Sequence, residues 1–300
     1  MALASSPFLE WARLYQARIE QVLEAKMPAQ DTTPSRLHQA MRYAALGGGK
    51  RVRALLAYAA GEFCGVSPTH VDIPAAAVEL IHAFSLVHDD MPCMDDDDLR
   101  RGKPSTHKQY DDATALLAGD ALQSLAFELV SAPDLTLPSA QKVQLLHLLA
   151  FATGSRGMAG GQSIDLESTN LTLSREALEH MHQLKTGALI RASVLAGAYC
   201  APKVTAQKLT TLEHYSATVG LAFQVVDDIL DVEADTMTLG KTSGKDAEAN
   251  KSTYVTLLGL SEAKALAQAL HEQAHAYLSP YQHEANTLRQ LADFILQRSF

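Results

Sequence analysis

The sequence is poor in several features that would take it outside ordinary globular chemistry. It holds three cysteines in 300 residues, Cys64, Cys93 and Cys200. They are odd in number, far apart and without C-x-x-C spacing, so neither a disulfide framework nor a cysteine zinc site is expected. Basic residues are in deficit: 25 Lys and Arg stand against 34 Asp and Glu, a formal net charge of −9. A nucleic-acid binder needs a basic face to neutralise phosphates, so this balance excludes that class and leaves room for a small phosphorylated ligand in a local basic pocket. No uninterrupted apolar run reaches membrane-spanning length. The opening stretch MALASSPFLEWARLYQ is broken by Glu10 and Arg13 before a secretory core forms. A reduced, cytoplasmic protein without membrane insertion is expected. Alternating runs of Val, Ile and Thr are missing too, which excludes a substantial sheet.

What is present is helical periodicity. Apolar residues recur three and four apart in Ala- and Leu-rich segments, which predicts helices near 7–27, 34–46, 51–63, 73–91, 112–131, 138–156, 174–199, 204–232, 249–258, 261–278 and 281–298. Thr33 before Pro34 reads as an N-cap followed by proline at the first helical position. Pro92 ends the helix that carries Asp89 and Asp90, because it lacks a donor and biases Met91 away from helical geometry. The segments 73–91, 185–199 and 217–230 are apolar nearly all round, as in centrally buried helices. No repeat or low-complexity linker interrupts the chain, so 1–300 reads as one all-α domain.

The densest chemical feature is HDDMPCMDDDDLRRG, residues 88–102. A helix C-terminus is the negative end of its dipole, so carboxylates gathered there need water or cations. An isolated acidic run is usually a solvated loop. The apolar lead-in ELIHAFSLV weakens that reading here, and the spacing does not fit an EF-hand. A second cluster lies in FQVVDDILDV, residues 223–232. Asp227 and Asp231 share a helix face with Asp228 beside them, and like charges at this spacing need a partner. Taken alone, this segment suggests a buried salt bridge. Asp89 and Asp227 are 138 positions apart; if their helices face each other, the carboxylates form two walls of one cavity. All-oxygen ligands suit Mg²⁺, which binds through a few carboxylates plus substrate phosphates. Basic groups complete the pattern. GGGKRVR (47–53) supplies close backbone approach, then Lys50, Arg51 and Arg53, and Arg100 and Arg101 follow the first acidic run.

Two short matches read as decoys. LGKT (239–242) ends like a phosphate-binding loop, but position 235 is Asp where Gly is required. HEQAH (271–275) matches the zinc-protease H-E-x-x-H pattern, yet neither Tyr281, His283 nor Glu284 offers an obvious third ligand.

Taken together, these elements resemble the trans-isoprenyl diphosphate synthase family over roughly residues 30–258, with its bacterial C15-forming members nearest. GGGKRVR resembles the GGKRxRP element, with Ala54 in place of the usual Pro. DDMPCMD (89–95) resembles the first aspartate-rich motif in its longer form, and DDILD (227–231) the second. GGQSIDL (160–166), KTG (185–187), FQ (223–224) and GKTSGKDAEANKSTY (240–254) follow in the family's order.

The resemblance implies an all-α bundle of ten or more helices around a deep central cavity. It implies Mg²⁺-dependent condensation of isopentenyl diphosphate with dimethylallyl and geranyl diphosphate to give the C15 product, with two or three ions per site and a homodimer. Asp89, Asp90 and Asp95, with Asp227, Asp228 and Asp231, are the implied metal residues. Lys50, Arg53, His82 and Arg101 are implied for isopentenyl diphosphate, and Arg100, Lys185 and Lys241 for the allylic diphosphate. Thr186 and Gln224 are implied beside the reacting carbons, and Lys251 near the diphosphates. Phe84, with Ser85, is implied in chain length: it precedes Asp89 by five residues, about 7.5 Å along a helix. The alternatives are a C20 synthase and a class I terpene cyclase, which has no use for the isopentenyl site. A non-catalytic subunit would be expected to lose one of the aspartate motifs. A zinc hydrolase at His271 and His275 comes last.

Overall fold

The computed structural model describes residues 6–233 and 251–296. Among them the chain is helical almost throughout: α1 (Pro7–Lys26), α2 (Ser35–Ala45), α3 (Val52–Phe63), α4 (Pro68–Asp89), α5 (Thr106–Gln109), α6 (Asp112–Ser131), α7 (Ser139–Thr153), α8 (Met158–Glu167), α9 (Arg175–His182), α10 (Ala188–Tyr199), α11 (Ala206–Glu233), α12 (Tyr254–Leu258), α13 (Leu260–Leu278) and α14 (Asn286–Leu296). A two-stranded antiparallel ribbon pairs Leu99–Arg100 (β1) with Lys103–Pro104 (β2). It closes the loop after the first acidic motif and is the sheet that periodicity could not announce, being two residues a side.

Several starts follow local chemistry. Ser6 accepts the Leu9 N–H ahead of Pro7, and Asp111 accepts the Thr114 N–H at 2.7 Å to open α6. Thr253 and Thr256 form a reciprocal capping box for α12. Four boundaries correct the sequence-based expectation. Thr33 does not cap α2: Pro34 is extended at φ −83° and ψ 100°, so it takes the cap position itself and the helix starts at Ser35. α4 starts at Pro68 rather than 73, because proline at its first position needs no donor and Pro74 is accommodated within the first turns. The segment 174–199 is not one α-helix, since a π-turn at Gln183–Gly187 separates α9 from α10. The last helix begins at Asn286, after a 3₁₀ turn at His283–Ala285.

The chain divides into two compact units, one of Met1–His147 with Ala196–Lys203 and one of Leu148–Leu195 with Val204–Phe300. In the first, α4 packs against α3 and α6, burying Leu55, Leu56, Leu80, Ile81 and Leu122 completely. Each such side chain contributes roughly 1.5–3 kcal/mol. α4 and α6 are long and apolar enough to cross a bilayer by composition; they owe that character to packing on each other. Two glycines set the approach. A Cβ at Gly119 of α6 would sit 2.1 Å from the His88 ring of α4, and one at Gly197 would sit 2.0 Å from the Ala57 carbonyl of α3. In the second unit, Leu178, Met181, Ala222, Val225, Ile229, Tyr254, Ala263 and Leu270 form one core cluster. All three cysteines are free thiols, and burial pushes Cys200 up to about 12.

Candidate active site

In the first unit the basic motif is a backbone device before it is a charge cluster. Gly47, Gly48 and Gly49 run at φ 89°, 105° and 104°, a left-handed path that residues with a Cβ rarely adopt. A Cβ at Gly49 would lie 3.0 Å from Arg101 Cζ, so the turn leaves room for that guanidinium. Arg101 Nη1 donates to the Gly48 carbonyl at 3.0 Å, tying the residues after the acidic run to the glycine turn. The three basic residues of GGGKRVR then part ways. Arg51 is buried and serves structure: it donates to Glu20 at 2.6 and 2.8 Å, to Glu79 at 3.1 Å and to the Ala45 carbonyl at 2.7 Å. Lys50 and Arg53 are half-buried.

Ala54, standing where the family carries Pro, uses its N–H to donate to Glu79 at 3.0 Å, a bond proline cannot make. His82, on α4, lies in the same positive field. Desolvation pushes its pKa well below the usual imidazole range, with Arg53, Arg101, Arg100 and Arg51 adding to the effect. It is therefore neutral at pH 7.

The acidic run folds back on the end of α4. Asp95 N–H donates to the Asp89 carbonyl at 2.9 Å, and Asp97 N–H to the Asp90 carbonyl at 3.1 Å. Arg100 holds buried Asp90 through Nε at 3.0 Å and Nη2, and reaches Asp97 at 3.1 Å. Burial pushes Asp90 above its ordinary value, although Arg100 opposes the shift. Lys108 pairs with Asp98 at 2.9 Å. Repulsion within the run is thus relieved partly by its own arginine and by α5. A pocket beside it is lined by Gly47, Ala83, Val87, Asp90, Arg100 and Arg101, among others. Phe84 stacks edge-on against His88 with ring centroids 4.9 Å apart, and Ser85 Oγ donates to the His82 carbonyl at 2.9 Å.

In the second unit the π-turn carries Lys185 and Thr186. Such turns cluster at functional sites because they re-aim side chains within a helix. α8 presses on it: a Cβ at Gly161 would sit 2.1 Å from the Lys185 nitrogen. Asp165, four residues further along α8, accepts from Lys185 Nζ at 2.6 Å and from Lys251 Nζ at 3.2 Å through the same oxygen. Burial pushes Asp165 up, but the two lysines outweigh it and hold the carboxyl below its ordinary range. Thr186 Oγ1 donates to Gln224 Oε1 at 3.2 Å, and Gln224 Nε2 donates to Asp228 at 3.0 Å. The other Asp228 oxygen accepts the Tyr254 N–H at 2.8 Å. Asp228 is therefore committed to positioning Gln224 and the start of α12. Asp227 is half-buried and Asp231 buried on the same stretch of α11.

Three contributors escaped sequence reading. Glu20 and Glu79 hold Arg51 and the glycine turn, and Asp165 shares its charge between two lysines. Glu79 left a signal, as the one acid in the apolar stretch 74–87 of α4, and Asp165 lay within GGQSIDL. Lys241 and the LGKT segment lie outside the described residues.

The polyprenyl synthetase family pattern matches residues 34–288. The chain is 47% identical over 292 residues to farnesyl diphosphate synthase of Haemophilus influenzae, covering 97% of this chain and 98% of that one. It is also 47% identical, over 279 residues and 92% of each chain, to farnesyl diphosphate synthase of Escherichia coli. Geranyltransferase from Helicobacter pylori, solved with magnesium and isoprenyl diphosphate, superposes at a TM-score of 0.86 with 33% identity over 98% of both chains. The chain belongs to the polyprenyl synthetase family and is a prenyltransferase with the family's all-α fold.

Proposed function

We propose that this enzyme condenses isopentenyl diphosphate with dimethylallyl and then geranyl diphosphate to give (2E,6E)-farnesyl diphosphate. The observation that carries the reading is the cluster under the glycine turn, where Arg101 is tied to Gly48 and neutral His82 sits in the field of Arg53 and Arg101. A cyclase ionises one allylic diphosphate and needs no such second anion site. Lys50, Arg53, His82 and Arg101 hold isopentenyl diphosphate, with His82 as a neutral hydrogen-bonding partner rather than a charge.

The donor set suits magnesium: Asp89, Asp90 and Asp95 on one motif and Asp227 and Asp231 on the other offer hard oxygens, with two or three ions per site. Asp228 is left out of this set because its oxygens already serve Gln224 and Tyr254. When bound, Mg²⁺ supplies positive charge that makes the allylic diphosphate a better leaving group.

The protein's own groups do the rest. Lys185, Lys251, Lys241 and Arg100 meet the charge that grows on the departing diphosphate, where fixed cations contribute most. Asp165 keeps Lys185 and Lys251 aimed, and Arg100 ties Asp90 to Asp97. Thr186 and Gln224 form a hydrogen-bonded pair beside the allylic carbons, holding the cation near the alkene before water reaches it. The released diphosphate takes up the final proton. Phe84 floors the tail pocket and stops growth at C15. The chain is one catalytic domain, and the protein works in the cytoplasm as a homodimer; Leu116 and Leu117 expose large apolar side chains on α6.

Purified protein incubated with Mg²⁺, isopentenyl diphosphate and either allylic diphosphate should give a farnesol peak after dephosphorylation, lost with EDTA. A C20 peak would overturn the role of Phe84. Cyclic hydrocarbon, or no turnover from folded protein, would overturn the reaction.

A further inference from the structure

The zinc-like pattern that the function did not absorb acquires a third group in the folded chain. His271 and His275 lie one turn apart on α13, so their rings share a face, with centroids 4.6 Å apart. α14 brings Asp293 against that face. Its Oδ1 is 2.6 Å from Nε2 of His271 and 2.8 Å from Nε2 of His275. One donor atom from each of the three residues lies within 4.8 Å of the others. The side chains keep 22%, 32% and 36% exposure respectively, so a hydrated cation can reach them and keep a water ligand.

Two imidazole nitrogens and one carboxylate oxygen are a donor set for borderline divalent transition ions. They are a poor set for Mg²⁺, which takes oxygen ligands. Without a metal, both rings donate Nε2–H to the carboxylate; with one, the same nitrogens present lone pairs to the ion. We propose that His271, His275 and Asp293 form a binding site for a divalent transition-metal cation of the zinc class, which clips α14 to α13. The clip is structural rather than hydrolytic. Glu272, which would be the general base in an H-E-x-x-H protease, is exposed and accepts from Gln268 at 2.9 Å. The site is separate from the acidic motifs and independent of the prenyl-transfer reading.

The test uses the full chain, stripped with EDTA and dialysed at pH 7.5 into millimolar Mg²⁺ so that the carboxylate site is occupied. Zn²⁺ is then titrated by calorimetry and Cu²⁺ binding is read by electron paramagnetic resonance. One equivalent of Zn²⁺ should bind above the Mg²⁺ background and raise Tm by about 5 °C at a hundredfold excess over Kd. The Cu²⁺ spectrum should show coupling to two nitrogens. His271→Gln, His275→Gln and Asp293→Asn should each weaken Zn²⁺ binding at least tenfold, with prenyl transfer unchanged. The proposal is overturned by no Zn²⁺ uptake, by full uptake in the His271→Gln/His275→Gln protein, or by a wild-type Cu²⁺ spectrum without nitrogen coupling. The last measurement needs no variant and stands even where a substitution prevents folding.

Discussion

Asp165→Asn removes one charge and should be felt by two lysines at once. In the folded chain a single oxygen accepts from Lys185 at 2.6 Å and Lys251 at 3.2 Å, and the carboxylate side chain is only 9% exposed. The amide oxygen can still accept a hydrogen bond, so shape is kept while the counter-charge is lost. Breaking a buried ion pair from one side costs about 3–5 kcal/mol. The lysines keep 23% and 17% exposure, so the lower end applies, about 3 kcal/mol. For a chain of this size that is a drop in Tm of about 6 °C.

The same change frees two ammonium groups that the mechanism aims at the allylic diphosphate, so KM for geranyl diphosphate should rise and kcat fall. KM for isopentenyl diphosphate, whose proposed ligands belong to the other unit, should hold. The pH dependence has a definite sign. The folded carboxyl is held below its unfolded value, so its stabilising contribution is present above the unfolded pKa, near pH 4. It is lost as the pH falls through the folded value. Urea titrations of both proteins at pH 7 and pH 3 should show a large difference at the first and a smaller one at the second. An unchanged midpoint at pH 7, together with an unchanged KM for geranyl diphosphate, would refute the shared-counterion argument.

Other expectations follow from single contacts. Asp89→Ala or Asp227→Ala should lower turnover by orders of magnitude while the far-ultraviolet circular dichroism stays native; near-normal activity in either would sink the metal assignment. Phe84→Ala should move the product from C15 towards C20 on chromatography, and an unchanged profile would remove the ring from the floor of the tail pocket. Gly161→Ala places a Cβ 2.1 Å from the Lys185 backbone nitrogen. Because that contact is with backbone, the π-turn must shift, and both Tm and kcat should fall; wild-type values for both would show the turn to be tolerant.

The sequence by itself determined the helical class and the approximate span of most of the long helices. Those properties are local. Periodic burial needs only the spacing of apolar residues, and clustered like charges such as Asp89 to Asp98 show that opposite charge or water must meet them without saying which. Ser6, Asp111 and Thr253 opened their helices through bonds to residues three positions away, and such bonds can be read from a string.

Only the tertiary structure decided what each charge is for. Arg51 and Arg53 stand two residues apart in one motif, yet Arg51 is spent on Glu20 and Glu79 from α1 and α4. Asp227 and Asp228 are neighbours, yet Asp228 turns inward to Gln224 and Tyr254. The π-turn at Lys185 lies against Gly161 of another helix, and Asp293 reaches His271 from 22 residues away. In each case a side chain's role depends on which distant group meets its charge. Pairing energy falls with distance in space, and distance in space is what chain order does not encode.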